Sequence, residues 1–195
     1  MPRPDISDQR RTEIVDAFAD CVTELGLDAA TLQRVADRAG VHKSIIRHYV
    51  GSRADLVTAL VERALERYRS TSEAALAGAG DSAQARLDAF IDSLFIGEEP
   101  YEGALFIALM RPGADHAAAA EVVERHLEEG GALLAQLLCA VYEAASFSTI
   151  AVVAEGIGAM SLGASESMGA TPATTERLRQ ASHRLAATVM TTDRV

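Results

Sequence analysis

Apolar residues recur at helical spacing along almost the whole chain, and no stretch alternates between apolar and polar positions for long. The first stripe contains Ile14, Phe18, Val22 and Leu25, and Gly26 follows where a helix would end. Further stripes, separated by glycine, proline or short polar segments, predict helices over about residues 32–39, 43–50, 53–77, 82–96, 101–111, 116–143, 147–167 and 173–190. The pattern predicts an all-α protein of about nine helices. Gly130 and Gly131 are expected to kink or split the helix over 116–143.

Two short helices near the N-terminus are separated by a turn that contains Gly40, which is typical of a helix-turn-helix. In that motif the second helix enters the DNA major groove. Ile46 and Val50 are four residues apart and are expected to face the core. The opposite side carries side chains that donate to phosphates or to guanine, namely Lys43, Ser44, Arg47 and His48.

Charge is distributed unevenly along the chain. The 195 residues carry a net charge of −10, yet residues 29–53 contain five basic residues and one acidic residue. A basic window of this kind indicates contact with nucleic acid, although a solvated basic helix face gives the same pattern. Ile45 lies off the Ile46 face, where it would meet either a thymine methyl group or the next helix.

The stretch "TEIVDAFADCVTELGLDAATLQRVADRAGVHKSIIRHYVGSRADLVTALVE" resembles the N-terminal domain of TetR-type (tetracycline-repressor-like) transcriptional regulators. The resemblance rests on Phe18 and Gly26, on "VADRAGV" as second helix and turn, on a recognition helix that ends in a His-Tyr pair, and on a basic residue at the start of the fourth helix. It implies a helix-turn-helix DNA-binding domain over 1–52, joined to a helical effector-binding and dimerisation domain over 53–195.

The resemblance also implies roles for individual residues. Thr31 would cap the second helix close to a phosphate, and the recognition helix would place polar residues in the groove. Three positions depart from the usual family pattern: His42 replaces a small hydroxyl residue, Arg47 replaces tyrosine, and Val50 replaces phenylalanine. The predicted DNA-binding residues are Thr31, His42, Lys43, Ser44, Ile45, Arg47, His48, Tyr49 and Arg53, of which His48, Tyr49 and Arg53 would contact phosphates.

The C-terminal helices of the family hold a small-molecule effector. Large side chains on helices four to eight are the candidates here, and each is alternatively part of the core: Phe90, Leu94, Phe95, Tyr101, Phe106, Met110 and Tyr142. Glu155 lies inside an apolar helix, where a carboxylate needs a partner. It is expected either to pair with Arg177, His183 or Arg184, or to face a cationic or hydrogen-bonding effector.

The last two helices are expected to form a homodimer about a two-fold axis, as a four-helix bundle. Small residues on helix eight, Gly156, Ala159, Gly163 and Ser167, would allow close approach, and helix nine would present Leu178, Ala181, Leu185 and Val189. The same face packs within its own subunit in the alternative interpretation.

The sequence thus predicts a cytoplasmic, dimeric regulator that binds a palindromic operator and is released from it, as a repressor, by a small-molecule effector. The alternatives are a helical protein–protein interaction module without DNA binding and a small helical enzyme. No phosphate-binding glycine loop, nucleophile elbow or metal-ligand spacing is present, so no cofactor or metal is expected. No segment reaches the length and apolarity of a membrane span.

Overall fold

The computed structural model describes residues 6–97, 100–109, 116–164 and 169–192, and these form nine α-helices without a strand. The predicted all-α class is therefore confirmed. The helices are α1 (Ile6–Leu25), α2 (Leu32–Ala39), α3 (Lys43–Tyr49), α4 (Arg53–Gly78), α5 (Ala83–Ser93), α6 (Pro100–Leu109), α7 (Ala117–Val141), α8 (Phe147–Gly163) and α9 (Pro172–Thr192).

Local side chains explain where several helices begin and end. Thr31, Ser82 and Ser146 have extended backbones, and each side-chain oxygen accepts a hydrogen bond from the N–H group three residues later. Gly40 closes α2 in the left-handed conformation, with φ of 64°. The predicted cap and stop of α2 are therefore found.

Helix α7 runs unbroken through both central glycines, so the predicted split at Gly130 and Gly131 does not occur. The glycines weaken the helix locally, but Leu134, Leu137 and Leu138 directly after them are buried. Their packing stabilises the helix across the weak point.

The chain divides into two compact units, one within residues 1–65 and 99–124 and the other within 66–98 and 125–195. In the first unit, α1 packs against α2, α3 and α6, and α2 packs against α3. The buried first part of α4 belongs there too, through residues such as Leu56, Leu60 and Ala64. The predicted domain over 1–52 lies within this unit, which also contains the first part of α4 and helix α6.

The second unit has an apolar core built from four helices. Its buried residues are Leu87, Phe90, Ile91, Leu134, Leu137, Leu138, Ile150, Val153, Ala154, Ile157, Ala186 and Val189, which come from α5, α7, α8 and α9. Even so, none of the described helices is both long enough and apolar enough to cross a membrane.

Candidate nucleic-acid interface

The short helix α3 separates its core face from its polar face. Ile46 is completely buried and Val50 is half-buried, as the four-residue spacing predicts. Lys43, Ser44 and Arg47 on the other side are exposed, and so is His48. The helix therefore presents two cations and a hydroxyl group to solvent from a rigid, core-anchored position.

Two half-buried residues border this exposed face. Ile45 is partly covered, so its side chain is shared between the scaffold and the surface. Tyr49 is also half-buried, and its ring meets the ring of His48 edge to face, with centroids 4.9 Å apart. The contact orients the two aromatic groups at the C-terminal end of α3.

The N-termini of α2 and α3 differ in their caps. Thr31 Oγ1 accepts a hydrogen bond from the Arg34 amide at 3.4 Å. His42 occupies the cap position of α3 but makes no side-chain capping bond, which leaves its exposed imidazole available to a ligand. The first amides of α3 are thus satisfied less completely by side chains than those of α2.

Three cations in residues 29–53 lie free on the surface: Arg34, Lys43 and Arg47 are exposed and form no ion pair among the residues that the structure describes. Arg38 differs, because it pairs with Glu24 and lies 3.4 Å from Asp20, both on α1. Arg34 belongs to the basic window over 29–53 but not to the predicted DNA-binding residues. Its place in the first turn of α2, beside Thr31, is the signal that would have identified it.

Arg53 also has a partner within the chain. Its Nη2 atom donates a hydrogen bond of 2.6 Å to the carbonyl oxygen of Leu27, in the turn between α1 and α2. The side chain is half-buried. Arg53 therefore differs from Lys43 and Arg47, whose charged ends are exposed.

The turn from α3 into α4 contains a reciprocal cap that the sequence analysis did not recognise. The Ser52 amide donates to Oδ2 of Asp55 at 2.6 Å, and the Asp55 amide donates to Oγ of Ser52 at 3.2 Å. The backbone hydrogen bond from Ser52 holds the pKa of the Asp55 carboxyl below its usual value. The serine and the aspartate three residues later are the sequence signature of this capping box.

Glycine is required just before this cap. Gly51 has φ of 116°, and a Cβ atom at that position would collide with the Asp55 carboxylate. The turn thus fixes how the recognition helix is connected to α4.

Known proteins resemble this N-terminal part of the chain. Residues 14–60 match the model of the family described as "Bacterial regulatory proteins, tetR family". The transcriptional regulator BetI of Burkholderia mallei (strain NCTC 10229) is 32% identical over 95 residues, which are 49% of this chain and 49% of that protein. BetI of Stenotrophomonas maltophilia (strain R551-3) is 28% identical over 95 residues, 49% of this chain and 48% of the other. The N-terminal part of the chain is therefore similar to the tetR family of bacterial regulatory proteins.

Solved structures resemble this chain in fold over nearly its full length. A transcriptional regulator from Pseudomonas aeruginosa PAO1 gives a TM-score of 0.78 at 19% identity, covering 95% of this chain and 92% of that one. A TetR transcription regulator from Haloarcula marismortui ATCC 43049 gives 0.76 at 19% identity, covering 92% and 97%. A regulator from Saccharomonospora viridis in complex with choline gives 0.71 at 12% identity, covering 92% and 96%. These likenesses show the fold, whereas in sequence the chain spans about half the length of the curated relatives it matches.

The large side chains predicted for the effector pocket come from both units. Phe90 is buried in the core of the second unit, and Leu94, Phe95 and Tyr142 pack against that core. Two others, Tyr101 and Phe106, lie on α6 in the first unit, where Tyr101 is buried and Phe106 half-buried. Met110 lies outside the described residues.

Glu155 is exposed, which corrects the expectation of a carboxylate inside an apolar environment. The apolar composition of α8 suggested burial on all sides, but only one side of the helix meets the core. Among the proposed partners, Arg177 bonds Thr174 and His183 contacts carboxylates on α5. Glu155 therefore needs no partner in the monomer.

The carboxylates that meet His183 belong to a polar cluster between α5 and α9. His183 Nε2 lies 2.7 Å from Oδ1 of Asp92, and Nδ1 lies 3.3 Å from Oδ1 of Asp88. Arg179 also bonds Asp92, at 2.6 Å. Burial raises the pKa of Asp92, but the hydrogen bonds from His183 and Arg179 outweigh it and hold that pKa below its usual value. Hydrogen bonds from Arg179 and Gln180 lower the pKa of Glu176 to about 2.

The predicted dimer residues divide into inward and outward positions. Gly156 faces Leu185 of its own chain, and Val189 is buried in the core of the second unit. These positions serve packing between α8 and α9, as the alternative interpretation expected. Ala159 and Gly163 are exposed, and Leu178 and Ala181 are half-buried. Ser167 lies outside the described residues.

Helix α8 carries exposed apolar side chains that were not predicted as site residues, and two of them share one face with Glu155 and Ala159. Val152 is 68% exposed and Leu162 is 56% exposed. Together with Glu155 and Ala159 they follow the three- and four-residue spacing of one helix face. This face, Val152, Glu155, Ala159 and Leu162, is called the outer face of α8 below.

Proposed function

We propose that this chain is a TetR-family DNA-binding transcriptional regulator, a repressor released from its operator by a small-molecule effector. The exposed cationic side of α3, opposite the buried Ile46, is the observation that carries the proposal. It supplies donors on a helix narrow enough for the major groove, anchored by its apolar side.

Individual contacts follow from exposure and charge. Lys43, Ser44 and Arg47 would enter the groove, where Arg47 would make a bidentate contact with guanine. Arg34 and Thr31, at the start of α2, would meet a backbone phosphate. Phosphate contacts of this kind fix the position of a helix on the duplex, and base contacts select the sequence.

A palindromic operator requires two copies of the recognition helix, about 34–36 Å apart on one side of the duplex. We infer that two copies of the chain associate through the outer face of α8. Exposed Val152 and Leu162 give it an apolar component, and exposed Ala159 lets a second helix approach closely. Glu155 on this face and the exposed Arg184 on α9 are opposite in charge, which suits a self-complementary two-fold contact.

The proposed effector site lies beside the aromatic residues of the second unit, Phe90, Phe95 and Tyr142. Their rings offer apolar surface, and the Tyr142 hydroxyl offers one polar contact. The similar fold that holds choline supports a small-molecule site in this architecture. An effector releases DNA only by the difference between its affinities for the DNA-bound and DNA-free conformations.

The test is selection of a duplex by the purified protein from a pool with a randomised core, followed by titration of the selected duplex. Specific binding is expected to be at least about a thousandfold tighter than binding to unrelated duplex, and to weaken steeply with salt. Weak binding without salt dependence, and no enriched sequence, would contradict the regulator and favour the protein–protein interaction module.

A further inference from the structure

Two connecting segments flank the helix-turn-helix. The turn after α1 leads through Leu27 and Thr31 into α2, and the turn after α3 leads through Gly51 into Arg53 at the start of α4. The Arg53 Nη2 atom bonds the Leu27 carbonyl oxygen at 2.6 Å, across a separation of 26 residues. One hydrogen bond therefore joins the entrance and the exit of the segment that contains α2 and α3.

Both ends of this bond are fixed. Leu27 is buried, and its carbonyl also accepts a hydrogen bond of 3.2 Å from the Ala30 amide. On the other side, the capping box of Ser52 and Asp55 sets the first turn of α4, where Arg53 lies. A cation that donates to a carbonyl between two rigid anchors restrains their separation.

We propose that Arg53 is a positioning residue, which holds the ends of the helix-turn-helix together through the Leu27 carbonyl and makes no phosphate contact. This inference rests on the proposed DNA-binding function and departs from the role that the family resemblance implies for Arg53. Arg53 is half-buried and bonded, whereas the groove-facing Lys43 and Arg47 are exposed and without an ion pair among the described residues.

Moving the Nη2 atom of Arg53 away from Leu27 and toward a phosphate would break this bond. The Leu27 carbonyl would then keep only its longer bond from Ala30, and a partly buried acceptor would lose its charged donor. The connection between α1 and α2 would be free to move relative to α4. Arg53 therefore acts on DNA affinity through the spacing of α2 and α3.

The first experiment uses the free, full-length protein and needs no DNA. Arg53→Met keeps the aliphatic stem and removes the donor, and Arg53→Lys keeps the charge on a side chain one bond shorter. Amide hydrogen exchange over residues 27–50 is expected to become on the order of tenfold faster in Arg53→Met and to stay faster than wild type in Arg53→Lys. Arg47→Met, at an exposed cation on α3, is the matched control and should leave this exchange unchanged.

The second experiment titrates the selected duplex at several salt concentrations. Loss of a phosphate contact lowers the slope of log K against log salt by about 0.9. Arg53→Met is expected to bind the duplex more weakly than wild type. Its slope of log K against log salt should equal that of wild type, because no phosphate contact is lost. Lys43→Met and Arg47→Met serve as references for the loss of a cation at the DNA surface.

Two results would overturn the inference. One is unchanged amide exchange in both Arg53 variants. The other is a slope that falls by about 0.9 in Arg53→Met and returns to wild type in Arg53→Lys, which identifies a phosphate contact. If the wild type itself binds no selected duplex, the proposed function fails. The exchange experiment still decides whether Arg53 holds the turn after α1 to the start of α4.

Discussion

Gly156 and Leu185 meet where α8 packs against α9: the Cδ2 atom of Leu185 lies 2.9 Å from the position that a Cβ atom on residue 156 would take. The distance is shorter than an ordinary carbon–carbon contact. The missing side chain of Gly156 therefore lets the two helices approach within one chain, rather than between two copies.

Replacing Gly156 with valine is expected to destabilise the second unit by about 1–3 kcal/mol, because the branched side chain must displace Leu185 from a packed position. Urea denaturation followed by circular dichroism measures the change. Gly158→Val is the matched control, since a Cβ atom on residue 158 has no neighbour within 4 Å. Equal destabilisation by the two variants would show that helix propensity, not packing against α9, determines the effect.

Replacing Arg47 with glutamate is expected to weaken binding of the selected duplex by at least about a hundredfold, because a groove contact is lost and a charge is placed against phosphates. The oligomeric state should not change, because Arg47 is exposed on α3. Titration by fluorescence anisotropy and analytical ultracentrifugation measure the two properties.

Arg86→Glu controls for the change in net charge. Arg86 is exposed on α5 and forms no ion pair among the described residues. It should bind the duplex within about threefold of wild type, since Arg86 belongs to the second unit and is not part of the α3 face. If the two variants lost affinity equally, total charge rather than the α3 face would govern binding.

Local chemistry made the N-terminal part of the chain predictable. Thr31 and Gly40 mark the ends of α2 because their preferred backbone conformations are the ones that a helix cap requires. Ile46 was predictable as a core residue because a four-residue spacing places it on the same face as Val50. These features depend on neighbouring residues only.

Contacts with sequence-distant groups could not be predicted. The partner of Arg53 is a backbone carbonyl 26 residues earlier, and a carbonyl carries no sequence signal. The same holds on α8, where periodicity marks apolar residues but does not say which of them meet the same chain. Gly156 and Ala159 are only about 60° apart around the helix, yet one packs on α9 and the other is exposed.

Replacing Val152 with glutamate is expected to disrupt the proposed dimer, because the substitution places a charge in the apolar part of the outer face of α8. Val152 is 68% exposed in the single chain, so folding should change by less than about 0.5 kcal/mol. Sedimentation velocity at several concentrations should show the dimer of the wild type and a monomer of the variant.

Phe147→Glu is the control for that substitution. Phe147 is 79% exposed on the same helix, about 140° around the axis from Val152 and about 60° beyond Leu162, so it lies past the edge of the outer face. This variant should remain a dimer. If Phe147→Glu dissociated the protein and Val152→Glu did not, the contact between copies would lie on a different side of α8.

Asp55 links the stability of the recognition-helix turn to pH. The hydrogen bond from the Ser52 amide holds the pKa of Asp55 below its ordinary value of 3.8. A carboxyl whose pKa is lower in the folded chain stabilises the fold above its unfolded pKa, and that stabilisation is lost as the pH falls through the folded pKa. Asp55→Asn keeps an acceptor oxygen but no charge. It is therefore expected to have a lower melting temperature than wild type at pH 7.

The difference in melting temperature between wild type and Asp55→Asn should shrink as the pH falls from 3.8 through the lower pKa of the folded chain, because below that pKa Asp55 is neutral in both states. Melting temperatures measured from pH 7 to pH 2.5 give this difference. The chemical shift of the Ser52 amide in an NMR titration reports protonation of the Asp55 carboxyl. Asp81→Asn is the control, since Asp81 is exposed and forms no hydrogen bond or ion pair among the described residues. A constant difference at all pH values would show that the Asp55 charge does not stabilise the turn and that only the geometry of the cap matters.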